Sequence, residues 1–227
     1  MVYGGTYSRV QNEYEVTKGE IVNGDDLNIT LHSSIGQRSN VGEYELFAVY
    51  SNANYDASFI TSVLTIDPRN ISIKLDNQHS IYGGAIVLSS TDYVITSGIL
   101  LDGDDLKLSL STNAKEFSGV GDYEITATSD NKNYNCTITN GVYTVNKREL
   151  VIKILNQTLE YSENMLIDQT AYVITSGILY DIDDLKIKIK TPDNVVELMS
   201  GSTYILEGEW DNKNYSVNFI DGELVIE

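Results

Sequence analysis

The chain has 227 residues, 41% hydrophobic and 21% charged, with 33 acidic against 15 basic residues and a formal net charge of −18. Such a composition can build packed cores, but it offers no Lys/Arg patch for nucleic acid or for an anionic membrane surface. No run of 18 apolar residues is present, so no helical membrane insertion is expected, and the single cysteine, Cys136, excludes a disulfide within the chain.

Read in chain order, the sequence repeats itself. Residues 14–31 (YEVTKGEIVNGDDLNITL), 93–110 (YVITSGILLDGDDLKLSL) and 172–189 (YVITSGILYDIDDLKIKI) are spaced by 79 residues. A second block runs VGEYELFAVYSNANY at 41–55, VGDYEITATSDNKNY at 120–134 and GSTYILEGEWDNKNY at 201–215, the last offset by 80 to 81. Each repeat closes on an alternating segment: 63–66, 142–145 and 224–227. The second and third open on Ile71–Leu75 and Leu150–Ile154, followed by corners at Tyr82-Gly83 and Tyr161-Ser162. The first begins at its corner, Tyr3-Gly4, and shows no opening strand. The chain therefore reads as a segment of a longer array, starting inside a repeat or borrowing that strand. The opening MVYGG has neither a basic nor an apolar leader region, so no signal peptide is expected in it. Boundaries are expected near Asp67-Pro68-Arg69 and Asn146-Lys147-Arg148, giving domains at 1–67, 68–147 and 148–227 joined by short, stiff linkers.

The hydrophobic period is two. Leu106, Leu108 and Leu110 alternate with Lys107 and Ser109, and Leu185, Ile187 and Ile189 alternate with lysines. These are strands with one buried and one wet face. Gly, Asn and Asp mark the turns, at Asn23-Gly24, Asp102-Gly103, Asn140-Gly141 and Asp221-Gly222. No amphipathic helix is evident, and Ser162–Ala171 is the best candidate for a short turn. The expected fold class is all-β: three tandem small antiparallel, immunoglobulin-like sandwiches in a rod, with a grasp-type β fold as the alternative. Usual size scaling gives each repeat a radius of gyration of roughly 12 Å and three in line a span of roughly 90 Å.

These motifs resemble the MBG family, the "mostly beta, glycine-rich" repeats of bacterial surface proteins. The family order is an opening strand, a Tyr-Gly corner, Tyr-x-Ile-Thr-Ser-Gly, Gly-Asp, Val-Gly-x-Tyr, Asn-Tyr and Gly-x-Tyr-Thr-Val. The second repeat carries all of it, at Tyr82-Gly83, Tyr93–Gly98, Gly103-Asp104, Val120–Tyr123, Asn133-Tyr134 and Gly141–Val145. The third departs where Ile182 replaces the turn glycine and where 200–204 reads SGSTY. The resemblance implies a secreted array on a bacterial cell surface or cell wall. Such an array presents flanking domains of its parent chain as a stalk or spacer, or binds a glycan or host protein as an adhesive module. It brings no catalytic residues.

The candidate sites are few. Of sixteen tyrosines, twelve recur: Tyr3/Tyr82/Tyr161, Tyr14/Tyr93/Tyr172, Tyr44/Tyr123/Tyr204 and Tyr55/Tyr134/Tyr215. Such rings could stack on sugars, but recurrence in every repeat favours core packing with the hydroxyls bonded to backbone. The acidic turns at Asp25-Asp26, Asp102/Asp104-Asp105 and Asp181/Asp183-Asp184 could attract Ca²⁺. Without an EF-hand loop they read as turns whose carboxylates accept backbone N–H bonds. Cys136 aligns with Ala57 and Val217 and reads as a small core residue. His32 and His79 read as surface residues. Trp210, Tyr180 and Phe47 have no aromatic counterparts in every repeat and are the places for a grafted contact. Asn-x-Ser/Thr sequons at Asn28, Asn70, Asn135, Asn156 and Asn214 matter only for a eukaryotic source. With no HExxH, GxSxG, P-loop or CxxC, no enzyme is expected, and no catalytic, cofactor or metal site is assigned.

Overall fold

The computed structural model describes residues 1–6, 14–36 and 38–227. The described residues contain strands and turns and no helix, so the fold is all-β, built from several small sheets. In the first repeat β1 (Thr30–Ser33), β2 (Gly42–Val49) and β3 (Ser62–Ile66) form an antiparallel sheet. The second repeat holds β4 (Arg69–Leu75), β5 (Gln78–Ile81), β6 (Tyr93–Gly98), β7 (Leu108–Thr112), β8 (Gly121–Ser129), β9 (Tyr134–Thr139) and β10 (Gly141–Asn146). The third holds β11 (Arg148–Ile154), β12 (Gln157–Leu159), β13 (Tyr172–Ser176), β14 (Lys188–Lys190), β15 (Thr203–Glu209), β16 (Tyr215–Ile220) and β17 (Gly222–Ile226). Ser162–Ala171 contains turns, as its sequence suggests.

The sheets repeat as the sequence does. The second repeat has the orders β6-β4-β9 and β5-β10-β8-β7, and the third has β13-β11-β16 and β12-β17-β15-β14. The opening strand is central in its sheet, and its apolar residues are accordingly the most buried. Ile71, Ile73 and Leu75 are 2%, 0% and 1% exposed, and Leu150, Ile152 and Ile154 are 1%, 0% and 0%. At the far end of the third repeat Ile154, Ile189, Leu206, Leu224 and Ile226 form one buried cluster.

The expectation of purely antiparallel sheets is corrected by the pairing. The opening strand β4 runs antiparallel to β6 but parallel to β9, β5 runs parallel to β10, and the third repeat does the same with β11–β16 and β12–β17. Each sheet of the second and third repeats is mixed because the first strands of a repeat return beside its last ones, and alternation of side chains looks the same for either strand direction. The first repeat has only a trace of this arrangement, a parallel bridge between Val2 and Asp67. Residues 14–19 and 55–60, which align with β6 and β9, are not strands. Their partner in the other repeats is the central opening strand.

By contact the chain divides into two compact units. One comprises Met1–Asp76, Ser90–Leu110 and Ala127–Asn140, the other Asn77–Ser89, Ser111–Thr126 and Gly141–Glu227. The first thus joins the first repeat to the β6-β4-β9 end of the second. The other joins the remaining end of the second repeat to the third.

Candidate functional site: a tyrosine–aspartate junction

The acidic turn is built the same way in each repeat. Its second carboxylate caps the following backbone: Asp26, Asp105 and Asp184 Oδ1 accept from the amides of Asn28, Lys107 and Lys186 at 2.8, 2.9 and 2.8 Å. Among the described residues those three are the non-glycine residues with positive φ, at 50°, 52° and 50°, and the short Asx bond stabilises that disfavoured conformation. Asn52, Asn131 and Asn212 tie the turn to the next strand by donating to the carbonyls of Asp26, Asp105 and Asp184. Ile182 changes the shape of the third turn: Gly24 and Gly103 have positive φ (89° and 80°), Ile182 does not, yet the closing bond from Asp183 N to Tyr180 O persists at 2.9 Å.

The first carboxylate of the turn accepts tyrosine hydroxyls. Tyr55 donates to Asp25 Oδ2 at 2.8 Å, Tyr134 to Asp104 Oδ2 at 2.6 Å and Tyr215 to Asp183 Oδ2 at 2.7 Å. Each hydroxyl also accepts a backbone amide, from Val22, Leu101 and Tyr180 respectively. Burial, and then the adjacent carboxylate, raise the Tyr134 phenol to about 12, and burial raises that of Tyr215 further.

A second tyrosine arrives from the preceding repeat. In the first compact unit Tyr3, 3% exposed, donates to Asp104 Oδ1 at 3.3 Å and meets the Tyr134 ring edge-on, with centroids 5.7 Å apart. In the second unit Tyr82, 2% exposed, donates to Asp183 Oδ1 at 2.9 Å and meets Tyr215 edge-on at 5.6 Å. An arginine on the opening strand fastens each corner: Arg69 Nε donates to Tyr3 O at 3.0 Å and Arg148 Nε to Tyr82 O at 2.8 Å. Asn133 Oδ1 accepts from Val41 N and Asn214 Oδ1 from Val120 N, at 2.9 and 3.0 Å. The same junction is therefore made twice, once within each compact unit.

The glycine of the corner is a packing requirement. A Cβ on Gly4 would lie 2.2 Å from Leu101 Cδ1, and one on Gly83 2.1 Å from Tyr180 Cε2, and both glycines have φ of +69°. One position pair distinguishes the two junctions. In the first, Arg38 reaches Asp104 at 3.0 Å and the Asp102 carbonyl at 2.7 Å, beside Leu101. In the second, Phe117 stands in place of Arg38 and packs on Tyr82 and Tyr180, with centroids at 6.1 and 5.0 Å. Tyr180, in place of Leu101, donates to Gly83 O at 2.8 Å and lies 5.0 Å from the Arg148 guanidinium.

The tyrosine-corner reading holds for Tyr44 and Tyr123, whose hydroxyls donate to the carbonyls four residues earlier, of Asn40 and Gly119, both at 2.7 Å. Tyr204 donates to Glu197 O. Tyr55, Tyr134 and Tyr215 bond backbone amides as expected and carboxylates in addition, whereas the hydroxyls of Tyr3 and Tyr82 go to carboxylates. Tyr161 is 54% exposed. Tyr180 is committed to the second junction. Trp210, 39% exposed, leans on Phe219 and donates to Tyr215 O at 3.4 Å. Cys136 is half-buried on β9 beside Ile71, and burial raises its thiol pKa. It borders an open cleft of about 590 Å³ lined by Asn70, Thr128, Asn131, Tyr134 and Asn135 among others. His32 stacks on Phe47 at 5.5 Å, whereas His79 is exposed. Of the sequon asparagines, Asn135 pairs with Asn70, and Asn156 accepts Glu223 N. Among the described residues no group of His, Cys, Asp and Glu is arranged to hold a metal ion.

Compared with known families, residues 71–144 match the profile of the MBG domain (YGX type). This segment is an MBG domain. Its bounds run from the opening strand β4 to the closing strand β10 of the second repeat, and the corner Tyr82-Gly83-Gly84 supplies the Tyr-Gly element of the type. No curated protein matches the chain. Among solved structures, the protocadherin gamma-B4 extracellular domain aligns with 88% of this chain and 43% of its own, at 11% identity and a TM-score of 0.22. The chain thus spans less than half the length of that structure. The repeats on either side of the MBG domain share its junction chemistry, residue for residue, at Tyr3, Arg69 and Asp104 and at Tyr82, Arg148 and Asp183.

Proposed function

We propose that the chain is a non-catalytic spacer, a stalk segment of a secreted bacterial cell-surface or cell-wall protein that presents the flanking domains of its parent chain. One observation carries this reading. The Tyr–Asp–Tyr arrangement with its arginine, made twice, is spent on joining one repeat to the next. A spacer needs that, since a chain of domains transmits position only if its joints are fixed. The linkers are correspondingly short, Asp67-Pro68 and Lys147 alone separating the flanking strands. In this reading the second and third repeats each pack two sheets as a small immunoglobulin-like sandwich, and the three repeats, with bounds at 1–67, 68–147 and 148–227, lie in a rod. Small-angle X-ray scattering of the monomer tests it. A rod gives a maximum dimension of roughly 90 Å, whereas repeats tumbling independently on flexible links would refute it.

The alternative is an adhesive module for a glycan or host protein. The open cleft beside Asn131, Tyr134 and Asn135 favours it, because polar side chains around an aromatic edge suit a sugar. Binding of the labelled chain to arrayed glycans and matrix proteins, lost on Asn131→Ala, would support adhesion. Binding to none of them would leave the spacer reading in place.

A further inference from the structure

The open cleft of about 590 Å³ on the second repeat lies where the other two repeats carry an aromatic pair. Ser129, at the end of β8, and Ile138, on β9, both line it. The equivalent residues are Tyr50 and Phe59, 79 positions earlier, and Trp210 and Phe219, 81 positions later. Each of those pairs packs ring on ring, with centroids 5.9 Å apart in the first repeat and 6.0 Å apart in the third. Serine and isoleucine remove both rings from the second repeat at once. Neither Ala127, aligned with Ala48 and Gly208, nor Cys136, aligned with Ala57 and Val217, puts a ring back. The second repeat is flanked by a repeat on either side, and every residue lining the cleft belongs to one compact unit, so the opening is a property of this repeat's own side chains.

The volume is that of a ligand site, which commonly holds roughly 300–1,000 Å³. The hydrogen bonds decide between a glycan and a protein as its occupant. Ser129 Oγ donates to Leu106 O at 2.7 Å, and Asn131 donates to Asp105 O at 2.7 Å while accepting Asn133 N at 3.0 Å. The Tyr134 hydroxyl is held by Leu101 N and Asp104, and Asn135 Nδ2 donates to Asn70 Oδ1 at 2.9 Å. A sugar brings hydroxyls that each need a partner, and most of the polar rim is already engaged. An aromatic ring needs apolar area and ring or sulfur neighbours, which Pro68, Ile138, Tyr134 and Cys136 supply. Charge selects what carries the ring, because a chain with a formal charge of −18 draws basic segments toward it.

We propose that this cleft receives an aromatic side chain, tryptophan above all, carried on a basic segment of a partner protein. The incoming ring supplies from outside what Trp210 and Phe219 supply from within in the third repeat. The spacer reading is left untouched. The inference rests on the adhesive reading, of which it names the occupant as a protein.

The test titrates the end-blocked peptide Lys-Trp-Lys into the isotope-labelled full chain and follows amide chemical shifts, with Lys-Leu-Lys as the control peptide. Saturable shifts should centre on Ser129, Cys136 and Ile138, and Lys-Leu-Lys should bind about tenfold more weakly. Ser129→Trp combined with Ile138→Phe copies the pair of the third repeat and should abolish those shifts, with circular dichroism as the check on folding. Ser129→Trp alone, the milder variant, should weaken binding at least about tenfold. If Lys-Trp-Lys produces no saturable shift in the cleft, or binds as well after both substitutions, the proposal is overturned. A glycan bound at the cleft and lost on Asn131→Ala, with the peptide silent, overturns it while keeping the adhesive reading. Silence of the peptide, the arrayed glycans and the matrix proteins alike removes both.

Discussion

Single carboxylates hold the junctions, and this makes them sensitive to proton balance on the tyrosines rather than on the acids. Burial and the Asp104 carboxylate favour the neutral phenol of Tyr134, raising it from the usual 10.0 to about 12. A phenol that ionises later in the folded state than in the unfolded one contributes stability that is intact below about pH 10 and lost as pH climbs toward 12. Urea unfolding of the chain should therefore show a falling midpoint across that window. Tyr134→Phe should flatten the fall, while costing roughly 1–3 kcal/mol at neutral pH because Leu101 N and Asp104 lose a buried partner. Ultraviolet titration that finds every tyrosine ionising near 10 would contradict this. At the same scale, sequence showed that tyrosine and aspartate recur together but not which pairs with which. Both recur at the same spacing, so Tyr82 with an aspartate of its own repeat and Tyr82 with Asp183 of the next leave identical traces.

At the level of elements, the corner works because glycine lets backbone pass close to a neighbouring side chain. Gly83→Ala places a methyl against Tyr180 and forces a residue with a side chain to a φ of +69°. The backbone term alone costs about 1–2 kcal/mol, so hydrogen exchange should show the Gly83 and Tyr82 amides opening more often. Adding Tyr180→Val, which copies the Val22 of the first repeat, removes the collision and should restore part of the protection. If Gly83→Ala exchanges like the natural chain, the close packing is not required. The strands were legible because alternation survives every tertiary context: Ile71, Ile73 and Leu75 face the core as their spacing demands. Their partners were not. A strand buried between two neighbours has the same pattern whether those neighbours run with it or against it, so the parallel ladders β4–β9 and β11–β16 lay outside what the residues alone disclose. Residues 14–19 and 55–60 align with β6 and β9 but are not strands, and their own sequence does not disclose this.

For the molecule as a whole, a formal charge of −18 means that folding gathers like charges, and the resulting repulsion is screened by salt. The thermal midpoint should rise as sodium chloride goes from low to moderate concentration, most steeply below about 0.1 M, where the screening length exceeds about 10 Å. A midpoint independent of salt would show that the charges are already spaced beyond each other's reach. The parallel ladders carry a different consequence, a mechanical one. In the third repeat the first strand β11 lies alongside β16 over six residue pairs, and β12 lies alongside the last strand β17 over three. When the ends of this repeat are pulled apart, those strands are drawn lengthwise past one another, and the rungs of each ladder bear the load together instead of parting in succession. A repeat tethered in this way yields abruptly at high force, whereas an antiparallel hairpin pulled from its open end unzips at low force.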